Sequence, residues 1–205
     1  MFGPKTLLNP FERYTEGQLL TVGISAGIAG SLLAYVFNGR FDGVVDLHFL
    51  HQVAWHEPFT DNLIVLICLL APLLLLGKYI NSKTRIIDIT TAILIARIPF
   101  LVLPLFNING YMQRLAEEIT RSVGEGAMNG STTLEFTLGG MEMVGLIVFA
   151  GVSILAVVWS ITLLYNGFKT ASNAKTISHK VLFALAIIAA EMLSKIVILK
   201  MITHS

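Results

Sequence analysis

The stretch IIDITTAILIARIPFLVLPLF, residues 86–106, decides how this chain is read. It is apolar over 21 positions. At about 1.5 Å per residue it reaches about 31 Å as a helix, matching the roughly 30 Å hydrocarbon core of a bilayer. Yet it carries Asp88, Arg97, Pro99 and Pro104. Arg97 falls near the middle, and a guanidinium keeps its proton, so at that depth it must face protein or water and needs a partner. Pro99 leaves the carbonyl of Ile95 without its helical donor, and Pro104 does the same to Phe100. Other helices must surround this one to answer those groups.

Composition agrees. The 205 residues are 55% hydrophobic and only 13% charged, with a mean hydropathy of +0.75; soluble domains carry roughly 25% charge. A net charge of +1 gives no hint of nucleic acid. The single cysteine, Cys68, excludes an internal disulfide and a cysteine metal cage.

Four more apolar runs flank the first. Residues 19–37 are too long for a signal-peptide core and lack a small-residue cleavage site, so they read as a retained first span. Gly23, Gly27 and Ser31 repeat every four positions in it, as do Ala26, Gly30 and Ala34, giving faces on which another backbone packs closely. The second span is 62–80, with a kink expected at Pro72. The third is 86–106, the fourth 143–165 and the fifth 181–202. Residues 1–17 form a polar N-terminal segment, and 18–205 one membrane domain. Between the third and fourth spans, Met112, Leu115, Ile119 and Val123 fall opposite Arg114, Glu117, Glu118 and Arg121, the pattern of an amphipathic helix on the membrane surface. Residues 124–140 are glycine-rich and expected to be irregular. The fold class is therefore all-α, a polytopic bundle of five transmembrane helices with short interfacial helices.

Five spans put the termini on opposite sides. Lys5, Arg13, Lys78, Lys83, Arg85, Lys169, Lys175 and Lys180 share the N-terminal side, against Arg40, Arg114, Arg121 and Lys200 on the other. The positive-inside rule places the N-terminus in the cytoplasm and the C-terminus outside, in an inner membrane if the source is prokaryotic.

Two groups of residues are candidates for function. Spans three and five start from the same side; Arg97 lies about 16 Å along its helix and Glu191 about 15 Å along the last one. The equal depths predict an Arg97–Glu191 pair across the two helices, with Lys195 one turn beyond Glu191 and Asp88 nearer the boundary. Such a buried cluster serves as a structural clamp, or, alternatively, as the path of a small-solute or ion transporter using Arg97, Glu191 and Lys195. The second group is Asp46, His48, His51, His56 and Glu57, between the first two spans. Imidazole and carboxylate are metal ligands, so a membrane-surface metalloenzyme using His48 and His51 is a further alternative, although the spacing matches no mechanistic motif. Interfacial histidines otherwise act as amphipathic packing residues. Cys68 is expected to be packed and inert. The sequon Asn129-Gly130-Ser131 lies on the expected outer side, and there is no serine elbow or phosphate loop.

Asn9-Pro10-Phe11, five spans, and a tryptophan at position 159 followed by Leu164, Gly167, Ala174 and Lys175 make the chain resemble the Yip domain family, in particular its short prokaryotic members. That resemblance implies a five-helix membrane bundle with no enzymatic activity, no cofactor and no catalytic residues. Eukaryotic members are associated with Rab GTPases, but their long cytoplasmic region and aspartate-leucine-tyrosine-glycine-proline motif are missing here. The expected partners are the lipid bilayer and a membrane or cytoplasmic protein, with the oligomeric state left open.

Overall fold

The computed structural model describes residues 4–128 and 139–204. Among these, five helical stretches are long and apolar enough to cross a membrane: Glu16–Val36, Glu57–Ile80, Ile86–Gly124, Gly140–Ser172 and Ile177–Met201. The protein is all-α and polytopic in architecture, apart from one pair of two-residue strands. The sequon and residues 129–138 of the glycine-rich interval lie outside the described residues.

A short helix α1 (Pro4–Leu8) and a 3₁₀ turn (Pro10–Glu12) lead to α2 (Glu16–Val36). Thr15 caps α2 reciprocally: its Oγ1 accepts from the Gln18 amide at 3.4 Å and its own amide donates to Gln18 Oε1 at 3.1 Å. The chain then forms a hairpin, β1 (Gly39–Arg40) against β2 (His48–Phe49), antiparallel with Arg40 opposite His48. Helix α3 (Glu57–Ile80) starts five residues before the expected span and continues through Pro72.

The decisive stretch does not form one α-helix. Helix α4 (Ile86–Ala96) ends at Arg97, and the chain continues as a 3₁₀ segment (Ile98–Gly110) until a bend at Asn107, Ile108 and Asn109. The two prolines explain the change. Each removes a donor, and the tighter i→i+3 bonds, such as Phe100 N–H to Arg97 O at 3.1 Å, replace what an α-helix would have lost. Helix α5 (Tyr111–Met128) is the amphipathic helix, with Met112 and Leu115 buried and Arg114, Glu117 and Arg121 exposed. It runs on through residues 124–128, where an irregular chain was expected. Helices α6 (Gly140–Ser172) and α7 (Ile177–His204) both exceed their expected spans, leaving only residues 173–176 between them. Asn173, at φ 58°, supplies the left-handed residue that ends α6.

The third crossing is the centre of the bundle. Half of its most apolar window is buried inside the protein, against 11–28% for the other four. It touches α2, α3 and α6, while α7 stands outside and packs chiefly on α3. Tyr165 and Phe168 of α6 meet Phe183 of α7, each with ring centroids 5.2 Å apart. The helices alternate in direction, so the bundle has an N-terminal end, with Glu16, Arg85 and Ser172, and a hairpin end.

Only part of the small-residue stripe on α2 is a packing seam. A Cβ on Gly23 would lie 2.7 Å from Leu94 Cβ, and one on Gly30 would rest 3.5 Å from Leu101. Gly27 has nothing within 4 Å and is no part of the seam. Ser31 is buried, but its role is a hydrogen bond. Accordingly, Gly23→Ala is expected to lower thermal stability in detergent by about 1–3 kcal/mol through overpacking, while Gly27→Ala leaves it unchanged or higher because alanine favours helix.

Candidate functional site

The 37–56 connection does not lie flat on the bundle. Asn38 adopts φ 52° to turn the chain, then binds the far side of its own loop through Leu50 N–H to Asn38 O at 2.9 Å and Val53 N–H to Asn38 Oδ1 at 3.3 Å. Phe41, Val44 and Val53 are buried, at 3%, 7% and 3% exposure, which sends the tip of the loop inward between the helices.

That tip meets the charges of the third and last crossings. Arg97 Nη1 donates to Val44 O at 3.3 Å, and Nε donates to Asn62 Oδ1 at 3.0 Å. Phe41 and Phe100 lie against the guanidinium, 5.2 and 5.6 Å from its carbon to the ring centroids. On the other side of the same residue, Val44 N–H donates to Glu191 Oε2 at 2.6 Å, and Val45 N–H to the same oxygen at 3.3 Å. The expected direct pair is therefore corrected: Arg97 and Glu191 do stand at comparable depth, but they hold the C=O and the N–H of Val44 between them. Gly43 makes this approach feasible, since a Cβ there would sit 2.7 Å from Glu191 Oε1.

The bonds continue outward. Asn62 Nδ2 donates to Ser31 Oγ at 2.8 Å, and Ser31 Oγ to Pro58 O at 3.3 Å, so Arg97 is linked to α2 and α3 through one chain of polar groups. Lys195 bridges Glu191 at 3.3 Å and Asp46 at 2.8 Å. Arg40 makes a bidentate pair with the buried Asp61, Nε to Oδ2 at 2.9 Å and Nη2 to Oδ1 at 2.7 Å, and reaches Glu57 at 3.0 Å. Asp88 is not in this cluster. It pairs with Arg85 at the opposite end of the bundle, at 2.6 and 3.0 Å, where Arg85 also holds Glu16.

The histidines separate. His48 Nδ1 lies 2.7 Å from Asp42 Oδ2 and 3.9 Å from Asp46, whereas His51 is bound to Gln113 and Glu117 of α5 and His56 stacks edge-on against Trp55. His51 and His56 thus do not join His48. Asp42, Asp46 and His48 offer three ligand atoms within 4.8 Å of one another, the metal-type grouping among the described residues. Protein partners already occupy it: a cation would have to open the His48–Asp42 contact and displace the Lys195 ammonium from Asp46. Asp42 Oδ1 is buried with no partner, so the cluster holds more acceptors than donors.

Asn62, Val44, Gly43, Arg40 and Asp61 escaped the sequence reading. Arg40 entered the sequence reading only in the count of basic residues and Asp61 not at all, and the two are 21 residues apart in the chain. A peptide group carries no side-chain signature at all, so Val44 could not have been found.

The cavity beside Arg97 is small. It holds about 20 Å³ between Gly27, Gly30, Phe41, Asn62 and Phe100, room for one water. Compared with models of known families, with curated proteins and with solved structures, the chain matches none.

Hydrogen bonding to Asp42 raises the His48 pKa above its ordinary 6.5. The charged His48 thus stabilises the fold below the unfolded value, and that contribution is lost as pH rises through the folded one. Thermal unfolding in detergent is expected to show stability falling as pH climbs above about 6.5. His48→Gln should flatten this slope, and a slope unchanged in that variant would remove His48 as its source.

Proposed function

We propose that this chain is a non-enzymatic, multi-pass membrane protein of the Yip type, acting in membrane organisation or partner binding, in which the mid-depth charges are a clamp and not a path. One observation carries the reading: the polar groups of Arg97 and Glu191 are turned onto the backbone of one residue, Val44, and its neighbours. A conducted ion needs exchangeable ligands and a connected route. Here the guanidinium is held by Asn62, Val44 and two aromatic faces, beside a cavity of about 20 Å³. A clamp needs the opposite, partners that stay in place.

The Yip reading draws support from the positions of the residues behind the resemblance. Phe11 packs on Gly167, where a Cβ would lie 2.8 Å from its ring. Trp159 Nε1 donates to Leu7 O at 3.0 Å and Asn166 Nδ2 to Leu8 O at 2.7 Å. Residues 7–11, around Asn9, and the stretch from Trp159 to Gly167 thus form one contact.

The orientation that goes with this reading has the N-terminal end of the bundle in the cytoplasm, supported by the excess of lysine and arginine there. A cysteine replacing Ser178, in the first turn of α7, should react with a membrane-impermeant maleimide only after cells are permeabilised. Labelling in intact cells would reverse the orientation.

In proteoliposomes the protein is expected to give no ion or proton flux above protein-free vesicles. Arg97→Leu is expected to lower thermal stability by about 3–5 kcal/mol, as removing one member of a buried charge set does. Arg97→Leu with Glu191→Gln should cost less than the sum of the two single changes. Flux abolished by either change with stability intact would sink the clamp and favour transport.

A further inference from the structure

Two adjoining cavities open beneath the N-terminal segment, sharing Tyr14 and Leu19 as a common wall. The outer one, about 220 Å³, lies at the N-terminal end of the bundle and is lined by Glu16, Arg85, Asp88 and Thr91. The deeper one, about 440 Å³, is lined by apolar groups, Val22, Ile95, Ile98, Trp159 and Leu163, under Leu7 and Pro10. Glu16 begins α2 and Arg85 precedes α4. Ile95 and Ile98 lie ten and thirteen residues past Arg85, so the groove descends about 15–20 Å from the end of the bundle. A polar mouth at the bundle end and an apolar groove running to mid-depth is the profile of an amphiphile standing in a bilayer leaflet.

We propose that this cleft binds one phospholipid with an amine-bearing headgroup, its head at Arg85, Glu16 and Asp88 and an acyl chain in the groove. Charge selects the head. Arg85, which lines the outer cavity, commits Nε and Nη2 to Asp88 and Glu16, while its Nη1 has no hydrogen bond among the described residues. A phosphate oxygen fits that donor. Two carboxylates share one guanidinium, so a negative charge remains in surplus at the mouth and calls for an ammonium. A headgroup bearing phosphate without an amine meets the arginine but leaves the surplus carboxylate opposed.

An unpaired polar group lies beside the same space. Thr91, only 3% exposed, lines the outer cavity, and its hydroxyl has no partner. Its neighbour Thr90 bonds back to Ile86 O at 2.9 Å, the usual resolution for a helical threonine. Thr91 forgoes that bond, and its buried hydroxyl is left unpaired beside the cavity. The N-terminal segment closes the side of the groove, held by the Trp159 and Asn166 bonds to the Leu7 and Leu8 carbonyls. An acyl chain beneath it is enclosed by protein on more than one face, unlike the lipid that surrounds the outer helices. The groove volume lies in the usual range for ligand sites.

The test uses the full-length protein in detergent, titrated with phosphatidylethanolamine or phosphatidylglycerol of the same chains, read by native mass spectrometry and thermal shift. Phosphatidylethanolamine should be retained about fivefold more tightly, the factor one partly exposed ion pair supplies. Glu16→Gln, at the exposed start of α2, should bring the two lipids to equal retention by removing the surplus charge. Val22→Trp, on a half-exposed position of the groove, should abolish the retention of both while the lipid-free melting temperature stays unchanged. If Val22→Trp itself unfolds the protein, the Glu16→Gln comparison decides alone. Equal retention of the two lipids by the unaltered protein, or a preference that survives Glu16→Gln, would overturn the proposal.

Discussion

A single residue, Val44, is gripped through its backbone from both sides: its carbonyl by the cation of the central crossing and its amide by the carboxylate of the outermost one. Charge at mid-depth in a bilayer is costly unless it is answered. Here the answer is given mainly by backbone, which has both a donor and an acceptor to offer and no net charge of its own. The loop that supplies this residue is thereby drawn into the bundle, and its buried Phe41 and Val53 follow. The Arg40–Asp61–Glu57 set and the Lys195 bridge then close the hairpin end around it. Remove the grip and the loop keeps its anchors at the base, the short ladder and the Arg40 pair with Asp61, but its tip loses the bonds that draw Val44 inward.

The five crossings and the surface helix could be read from apolar run length and helical spacing because both follow from local chemistry. Their ends could not. Helix α6 runs seven residues past its apolar run because Asn166 and Phe168 are held by tertiary contacts that hydropathy does not register. The prolines at 99 and 104 announced broken hydrogen bonds, but not that a 3₁₀ path would replace the α-helix over residues 98–110. The glycines of α2 show the same limit: spacing nominated Gly23, Gly27 and Gly30 equally, and only the position of the third crossing separates the two that pack from the one that does not.

At the site, depth was legible and direction was not. Counting residues from the membrane boundary placed Arg97 and Glu191 at one level, because helical rise is nearly constant. What lies between them is a loop whose path no periodic signal records. The histidine group divided for the same reason. His48 pairs with Asp42 across the hairpin, while His51 is carried to α5, so neighbours in sequence became members of different clusters.

The grip on Val44 also constrains the order of assembly. Val44 and Glu191 are 147 residues apart, and synthesis and insertion proceed from the N-terminus. The first four crossings can be in place while the loop still lacks its second anchor. Only when the last helix has left the ribosome and docked does Glu191 become available, so the hairpin end is the final part of the molecule to mature. A nascent chain halted before that helix would hold Arg97 with an unfinished loop.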